Sequence, residues 1–362
     1  MPETVFIGIR THNSTQYIDK SLQSVYEQTY PKLHLVVYDD ASNDDTLQKL
    51  ENWQNKFASK GTKFEILSGK TNVGCGKAFE TLGRAVADRM NNNDIFSMLD
   101  SDDSYTSPLA LQQIVFRMNK TKANVCLSSY TLQGDKNLVM NLNGGSSHNN
   151  TVHQLSDLPH AVTIQNMPEI ASHISSIGWT KIVKGEIFKP YMQMFPRINK
   201  EMSMCEDFPS LAMLLYKSSR ITGLKESAYN YFKHSGSSTA QSKPEDFRVA
   251  RIGFLKTLQQ MAADNPQKFI PSAENYINSF LETKYISIGN IASAKAKNGI
   301  LKNYTKSDFQ QDFKKSIDCK GLLLCDTLDE LEQKRAARAA GTKVSYQTQD
   351  LLAAKKNINT KE

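Results

Sequence analysis

Short apolar runs and helical repeats alternate along the first hundred residues of the chain. The apolar runs, rich in β-branched residues, predict strands at residues 5–9, 33–38, 64–67 and 95–99. Between them, apolar side chains recur at helical spacing, which predicts helices at residues 15–28, 44–57 and 76–90. This alternation of strands and helices predicts an α/β fold, a mainly parallel sheet with helices on both faces.

The pattern changes further along the chain. Residues 133–160 are rich in Asn, Gly, Ser and His and predict a long loop. A helix is predicted after Pro209, followed by a strand that ends near Phe232. The remainder has helical apolar spacing. We therefore predict two domains, an α/β domain of residues 1–240 and a helical region of residues 241–362.

Charge separates nearly the same two regions. The 362-residue chain carries 44 Lys and Arg against 37 Asp and Glu, a formal net charge of +7. Residues 1–242 hold 24 basic and 23 acidic residues, and residues 243–362 hold the other 20 and 14. The last third is therefore the basic part. This suggests a partner of its own, such as nucleic acid or an anionic membrane surface, and a solvated helical face with no partner is the alternative.

The composition also suggests a cellular compartment. No apolar run is long enough to cross a bilayer, and the first residues lack the basic and apolar regions of a signal peptide. The cysteines are odd in number and none has CxxC spacing: Cys75, Cys126, Cys205, Cys319 and Cys325. We expect neither a disulfide framework nor a zinc site. The expected location is the cytoplasm, with membrane contact only at the surface.

Polar clusters follow three of the predicted strands. They are residues 10–13, 39–46 and 100–103. Sheets of this kind bind ligands at the carboxyl ends of their strands. A carboxylate there can accept hydrogen bonds from a base or a ribose, and the closely spaced Asp100, Asp102 and Asp103 suit Mg²⁺ or Mn²⁺. Asp44 and Asp45 taken alone are better explained as a helix N-cap than as ligands.

These clusters resemble the motifs of family 2 glycosyltransferases of the GT-A fold. Residues 10–13 stand where the family has a Pro-Thr-Tyr-Asn-like turn, and residues 22–28 match its Leu-x-Ser-x-x-x-Gln helix. Residues 39–46 match Asp-Asp-x-Ser-x-Asp-x-Thr. Residues 72–78 match Asn-x-Gly-x-x-x-Ala, and residues 99–103 match the Leu-Asp-x-Asp-Asp metal motif. The motifs occur in the family's order.

Three later segments resemble the rest of that catalytic domain. Residues 178–182 resemble its Trp-x-Lys-Leu segment, and residues 229–238 resemble the Tyr-x-Tyr-Arg segment that closes it. Asp207 lies in a Glu-Asp pair like the one that holds the family's catalytic base. The chain departs from the family at Arg10, where Pro is usual, and at His12, where Tyr is usual.

The resemblance implies a metal-dependent reaction that moves a sugar from a nucleotide diphosphate sugar to an acceptor hydroxyl, with inversion. A UDP-sugar is the expected donor. Asp207 is implied as the catalytic base, although a helix N-cap is the alternative for it. Asp102 or Asp103 is implied to hold Mn²⁺ or Mg²⁺, which neutralises the departing diphosphate.

The resemblance also implies residues that bind the donor. Asp39 or Asp40 is implied to bind the base, and Asp100 to support the ribose or a metal-bound water. Further donor contacts are implied for Thr11, His12, Asn13, Asn72, Lys77, Trp179, Lys233 and His234. For Trp179 and His234, ordinary packing is the alternative explanation.

The sequence leaves the acceptor open. A saccharide or glycoconjugate, including a lipid-linked one, is the first expectation. A hydroxylated base in DNA is the alternative, because the basic residues 334–338 and the charge of the last third suit phosphate contacts. A third possibility is an inactive scaffold that binds nucleotide sugars, against which the intact acidic motifs argue.

Overall fold

The computed structural model describes residues 2–134, 151–153, 181–198 and 220–237. All of them lie in the first of two units into which the chain divides, Met1–Ser242. The helices predicted after Pro209 and in residues 241–362 lie outside the described residues, and the assignment of two domains stays a prediction.

The described residues form strands and helices in alternation. The strands are β1 (Val5–Thr11), β2 (Leu33–Asp39), β3 (Lys63–Ser68), β4 (Ile95–Met98), β5 (Ser104–Tyr105), β6 (Val125–Gly134), β7 (Thr151–His153), β8 (Lys181–Lys184) and β9 (Ile221–Lys233). The helices are α1 (Ile18–Tyr26), α2 (Thr46–Ser59), α3 (Cys75–Arg89), α4 (Ala110–Thr121) and α5 (Gly185–Ile198). None of the helices in this part of the chain combines the length and the apolar character needed to cross a bilayer.

The described strands form one sheet in the order β3-β2-β1-β4-β8-β6-β9-β5, with β7 paired to β6. β1 pairs in parallel with β2 and β4, and β2 pairs in parallel with β3. β8 is antiparallel to both β4 and β6, so the sheet is parallel on one side and mixed beyond β4. The predicted α/β class, with a mainly parallel but mixed sheet, is confirmed.

The strands and helices predicted in the first hundred residues are all present, with small shifts at their ends. β1 is longer than its apolar run, because Arg10 and Thr11 continue the parallel pairing with Tyr38 and Asp39 of β2. Two polar side chains of the first cluster are therefore fixed in the sheet and do not lie in a free loop.

The prediction of an uninterrupted loop at residues 133–160 is wrong in two places. β6 continues to Gly134, and Thr151–His153 form β7 against Tyr130–Leu132. A polar stretch gives little local signal of such a strand, because its partner lies elsewhere in the chain. The elements α4, β6, β8 and α5 also lie where the sequence predicted none.

The packing of the core sets the position of the polar clusters. Nearly all residues of β1, β2 and β4 are buried, which explains their continuous apolar runs. The helices cover them with one apolar face each, as α1 does with Ile18, Leu22 and Val25. Because the three strands are parallel neighbours, the polar residues that follow them meet at one edge of the sheet.

Candidate functional site

The three carboxylates after β4 have different environments. Asp103 is 1% exposed, and both its oxygens accept hydrogen bonds from β9. The hydroxyl of Tyr229 donates to Oδ2 at 2.7 Å, and the backbone N–H of Phe232 donates to Oδ1 at 2.7 Å. Burial, with the nearby charges of Asp102 and Asp100, raises the pKa of the Asp103 carboxyl well above its ordinary value. The structure thus gives Asp103 two protein partners inside the fold.

Asp102, by contrast, meets a histidine at the edge of the site. Its Oδ2 lies 2.9 Å from Nε2 of His234, and the two side chains are 23% and 15% exposed. The His234 ring packs against Tyr17, with centroids 4.3 Å apart, and against Phe232, at 5.7 Å. These contacts bring together a carboxylate and an imidazole that are 132 residues apart in the sequence.

Asp100 is fixed through both its backbone and its side chain. Its backbone N–H donates to the hydroxyl of Tyr229 at 3.0 Å, and its backbone oxygen accepts from Ser21 at 3.4 Å. Its Oδ1 lies 3.4 Å from Nε of Arg10. The carboxylate is therefore oriented by a cation from the end of β1.

The two aspartates at the end of β2 organise the loops beside them. Asp40 accepts hydrogen bonds at 2.9 Å from the backbone N–H groups of Val73 and Gly74. Gly74 has φ +81°, a conformation that favours glycine, and this turns its N–H toward Asp40. Asp39 accepts from the backbone N–H and the hydroxyl of Ser42, at 3.2 and 2.5 Å. Both carboxylates are nearly buried, and base binding by either one stays a prediction.

The loop after β1 is tied to the loop after β2. Nδ1 of His12 lies 2.8 Å from the carbonyl oxygen of Asp40, and the side chain of Asn13 accepts from the N–H of Asn43 at 2.9 Å. The hydroxyl oxygen of Thr11 is buried and has no hydrogen-bond partner. An unpaired buried hydroxyl is uncommon, so the hydrogen-bonding capacity of this oxygen is unused within the described residues.

The other predicted donor residues have different settings. Asn72 accepts from the N–H of Gly74 at 3.0 Å, within the loop that precedes α3. Nζ of Lys77 donates to Oε2 of Glu80 at 2.8 Å, one helical turn further along α3. Lys233 is buried, and its Nζ lies 4.9 Å from the centre of the Tyr231 ring. Trp179 and the predicted base Asp207 lie outside the described residues.

Three residues organise this site through contacts that the sequence analysis did not predict. Tyr229 joins the Asp100 and Asp103 positions, Tyr17 packs on His234, and Arg10 pairs with Asp100. Arg10 carried a signal because it departs from the family's Pro, and Tyr229 carried one through its place in the closing segment 229–238, whereas Tyr17 carried none. Among the described residues no three His, Cys, Asp or Glu side chains form a ready-made metal cluster, so a cation here would need oxygens from a ligand.

A family model and several known proteins resemble this chain. The model for glycosyl transferase family 2 matches residues 6–175. Poly(ribitol-phosphate) beta-N-acetylglucosaminyltransferase TarS of Staphylococcus aureus strain Mu50 is 28% identical over 244 residues, which are 66% of this chain and 38% of TarS. Chondroitin synthase of Escherichia coli is 31% identical over 139 residues, covering 38% of this chain and 19% of the synthase. The chain thus spans less than half the length of these curated relatives.

Solved structures support the fold. The crystal structure of S. aureus TarS 1–349 in complex with UDP-GlcNAc has a TM-score of 0.53 and 18% identity, and the match covers 90% of this chain and 95% of that one. At this identity the likeness concerns the fold, which is GT-A. The motif order, the sheet and the family match lead to the same conclusion: residues 6–175 belong to glycosyl transferase family 2.

Proposed function

We propose that this chain transfers a sugar from a UDP-sugar to an acceptor hydroxyl, with inversion at the anomeric carbon, and that UDP-GlcNAc is the first donor to test. The observation that carries the proposal is the contact between Asp102 and His234, at the carboxyl edge of a family 2 sheet. The names of the TarS relatives and of the TarS complex with UDP-GlcNAc support this choice of donor.

The chemistry of Asp102 and His234 fits a divalent cation. The carboxylate suits Mn²⁺ or Mg²⁺, and the imidazole adds a nitrogen ligand that a first-row transition metal accepts more readily than Mg²⁺ does, so Mn²⁺ is the first cation to test. The atoms that face each other, Oδ2 of Asp102 and Nε2 of His234, are the two that would hold it. When bound, the cation neutralises negative charge on the departing diphosphate. Asp103, with both oxygens already bonded to β9, shapes the turn that presents Asp102.

The loops beside the site suit the nucleoside. The unpaired hydroxyl of Thr11 offers a hydrogen bond to the base, and Asp100 offers a carboxylate to the ribose hydroxyls. Asp40 holds the loop before α3 through the N–H groups of Val73 and Gly74, so it also shapes this side of the site. These contacts bind the donor in its ground state and in the transition state alike, so they contribute mainly to KM.

Removal of the acceptor proton is assigned to Asp207, on the resemblance of its Glu-Asp pair to that of the family. A carboxylate within hydrogen-bond distance of the acceptor hydroxyl takes its proton as the oxygen attacks the anomeric carbon. One base is enough for a single displacement, because the leaving diphosphate needs charge neutralisation rather than protonation.

The proposed acceptor is a hydroxyl of a saccharide or a polyol phosphate chain. The relatives named above act on poly(ribitol phosphate) or make chondroitin, as their names state. The six excess positive charges of residues 243–362 would suit an anionic polymer of this kind. A DNA acceptor stays a prediction from the same charge.

The test is a donor screen with the purified full chain. UDP-GlcNAc, UDP-GalNAc, UDP-glucose and GDP-mannose are each incubated with Mn²⁺, with Mg²⁺ or with EDTA, and release of the nucleotide diphosphate is measured. Poly(ribitol phosphate), chondroitin oligosaccharides or duplex DNA are then added in separate reactions. We expect Mn²⁺-dependent UDP release that one of the first two acceptors stimulates. Release of the nucleotide diphosphate that is as fast in EDTA as in Mn²⁺, or that is absent with every donor, would contradict the proposal.

A further inference from the structure

Arg10 lies between two parts of the proposed donor site. It is the penultimate residue of β1, at the carboxyl edge of the sheet, and its side chain is 16% exposed. Its Nη1 donates a hydrogen bond at 3.0 Å to the carbonyl oxygen of Cys75, the first residue of α3. Its Nε lies 3.4 Å from Oδ1 of Asp100. One guanidinium therefore contacts both the start of α3 and the acidic turn after β4.

These contacts complete a chain of interactions along the edge of the sheet. Asp40 holds Val73 and Gly74, and the next residue, Cys75, accepts from Arg10. Arg10 then pairs with Asp100, whose backbone N–H is held by Tyr229 on β9. The backbone of Asp100 is fixed by hydrogen bonds to β9 and α1. Its carboxylate is oriented by the guanidinium of Arg10.

A guanidinium suits this position for a geometric reason. Its planar fork can place one N–H on a carbonyl and another on a carboxylate at the same time, whereas the ammonium of lysine is a point charge on a flexible stem. It also carries a permanent positive charge beside a turn with three carboxylates in four residues. Without it, the Asp100 carboxylate would be drawn to other donors and repelled by its neighbours.

We infer that Arg10 is a positioning residue for donor binding: it holds the Asp100 carboxylate in the orientation that receives the nucleoside, and ties it to the start of α3. This inference rests on the proposed function. The predicted consequence is a defect in donor affinity and not in turnover, because Arg10 acts through a group that binds the donor uniformly through the reaction.

The experiment compares wild type, Arg10→Met and Arg10→Lys by calorimetric titration with UMP in EDTA and with UDP in Mn²⁺, and by steady-state kinetics. We expect Arg10→Met to weaken the binding of both UMP and UDP and to raise the donor KM roughly tenfold, the factor that one lost charge-assisted contact gives. The kcat should fall less than about threefold. Arg10→Lys keeps the charge but not the fork, so its KM should be intermediate. Arg89→Met is the matched control, because Arg89 pairs with Glu65 of β3 and is the last residue of α3, at the end opposite Cys75.

A double-mutant cycle separates positioning from a general structural role. If Arg10 acts through Asp100, the KM of Arg10→Met/Asp100→Asn should equal that of Asp100→Asn within about twofold. A purely structural role would lower the melting temperature and the active fraction, and so kcat, and leave KM unchanged. Unchanged nucleotide affinity in both Arg10 variants would overturn the inference. Wild-type protein that binds neither UMP nor UDP would instead overturn the proposed function.

Discussion

The hydroxyl of Tyr229 and the carboxylate of Asp103 form a buried hydrogen bond of 2.7 Å between β9 and the turn after β4. The same hydroxyl accepts the N–H of Asp100 at 3.0 Å. Burial and the charge of Asp103 raise the pKa of Tyr229 well above its ordinary value, so the phenol keeps its proton and donates. β9, which His234 directly follows, thus fixes the acidic turn that follows β4.

Tyr229→Phe should destabilise the protein by about 1–3 kcal/mol. The change leaves the Oδ2 of Asp103 and the N–H of Asp100 without their partner in a buried region. Urea denaturation of the purified variant measures the loss. Tyr26→Phe is the control, because the Tyr26 ring keeps its packing on Lys56 and Lys60, and it should stay within about 0.5 kcal/mol of wild type. Equal stability of the two variants would show that the hydroxyl of Tyr229 is unimportant.

Asp102→Asn should impair mainly activity, whereas Asp103→Asn should impair mainly stability. Asp102 is partly exposed, so its variant should keep wild-type stability and lose Mn²⁺-dependent UDP release by roughly two orders of magnitude or more. Asp103 accepts at both oxygens, and an amide can accept at only one, so its variant should lose about 1–3 kcal/mol of stability. Melting temperature and Mn²⁺ titration are measured for both. If Asp103→Asn is stable and fails to bind Mn²⁺, the assignment of the two residues is reversed.

Asp207→Asn should abolish transfer and leave donor binding nearly intact. The amide cannot take the acceptor proton, whereas the proposed donor site is formed by the residues after β1, β2 and β4. UDP binding by calorimetry and product formation with the best acceptor are the two measurements. Asp88→Asn, at an exposed position of α3, is the acidic-to-amide control and should leave transfer unchanged. Near-normal turnover in Asp207→Asn would mean that another group is the base.

Asp44→Asn should reduce the loss of stability in acid. Burial opposes ionisation of Asp44, but hydrogen bonds from Thr46 and Thr15 outweigh it and lower the pKa to about 2. A carboxylate with a lowered pKa stabilises the fold above the unfolded pKa of about 3.9, and this contribution is lost as the pH falls toward 2. Because Asp44 is exposed, the contribution should be under about 1 kcal/mol.

The measurement for Asp44 is the change in melting temperature between about pH 5 and about pH 3. The melting temperature should fall less steeply with decreasing pH in Asp44→Asn than in wild type. Asp45→Asn is the matched control, because Asp45 is the N-cap of α2 and makes no capping bond with its side chain. An equal change in the pH dependence of the melting temperature in both variants would contradict the assignment of this effect to the carboxylate of Asp44.

The sequence by itself determined the order of elements in the first hundred residues. Continuous apolar runs mark β1, β2 and β4 because both faces of these strands are covered, and this signal is local. The acidic residues after β2 and β4 could be assigned to one edge of the sheet for the same reason, since parallel neighbours end on the same side. The helix start predicted at Asp44 and Asp45 is likewise local: Asp45 is the N-cap of α2, and Oδ1 of Asp44 accepts the N–H of Thr46, two residues away.

Only the tertiary structure decided how the three carboxylates of one short turn differ. Asp102 faces His234, Asp103 faces Tyr229 and Asp100 faces Arg10, and these partners lie from 90 to 132 positions away in the sequence. Spacing along the chain makes Asp102 and Asp103 equivalent, because both follow the same strand. What separates them is burial and hydrogen bonding to a strand from the other end of the domain, which are products of long-range packing and leave no local pattern in the sequence.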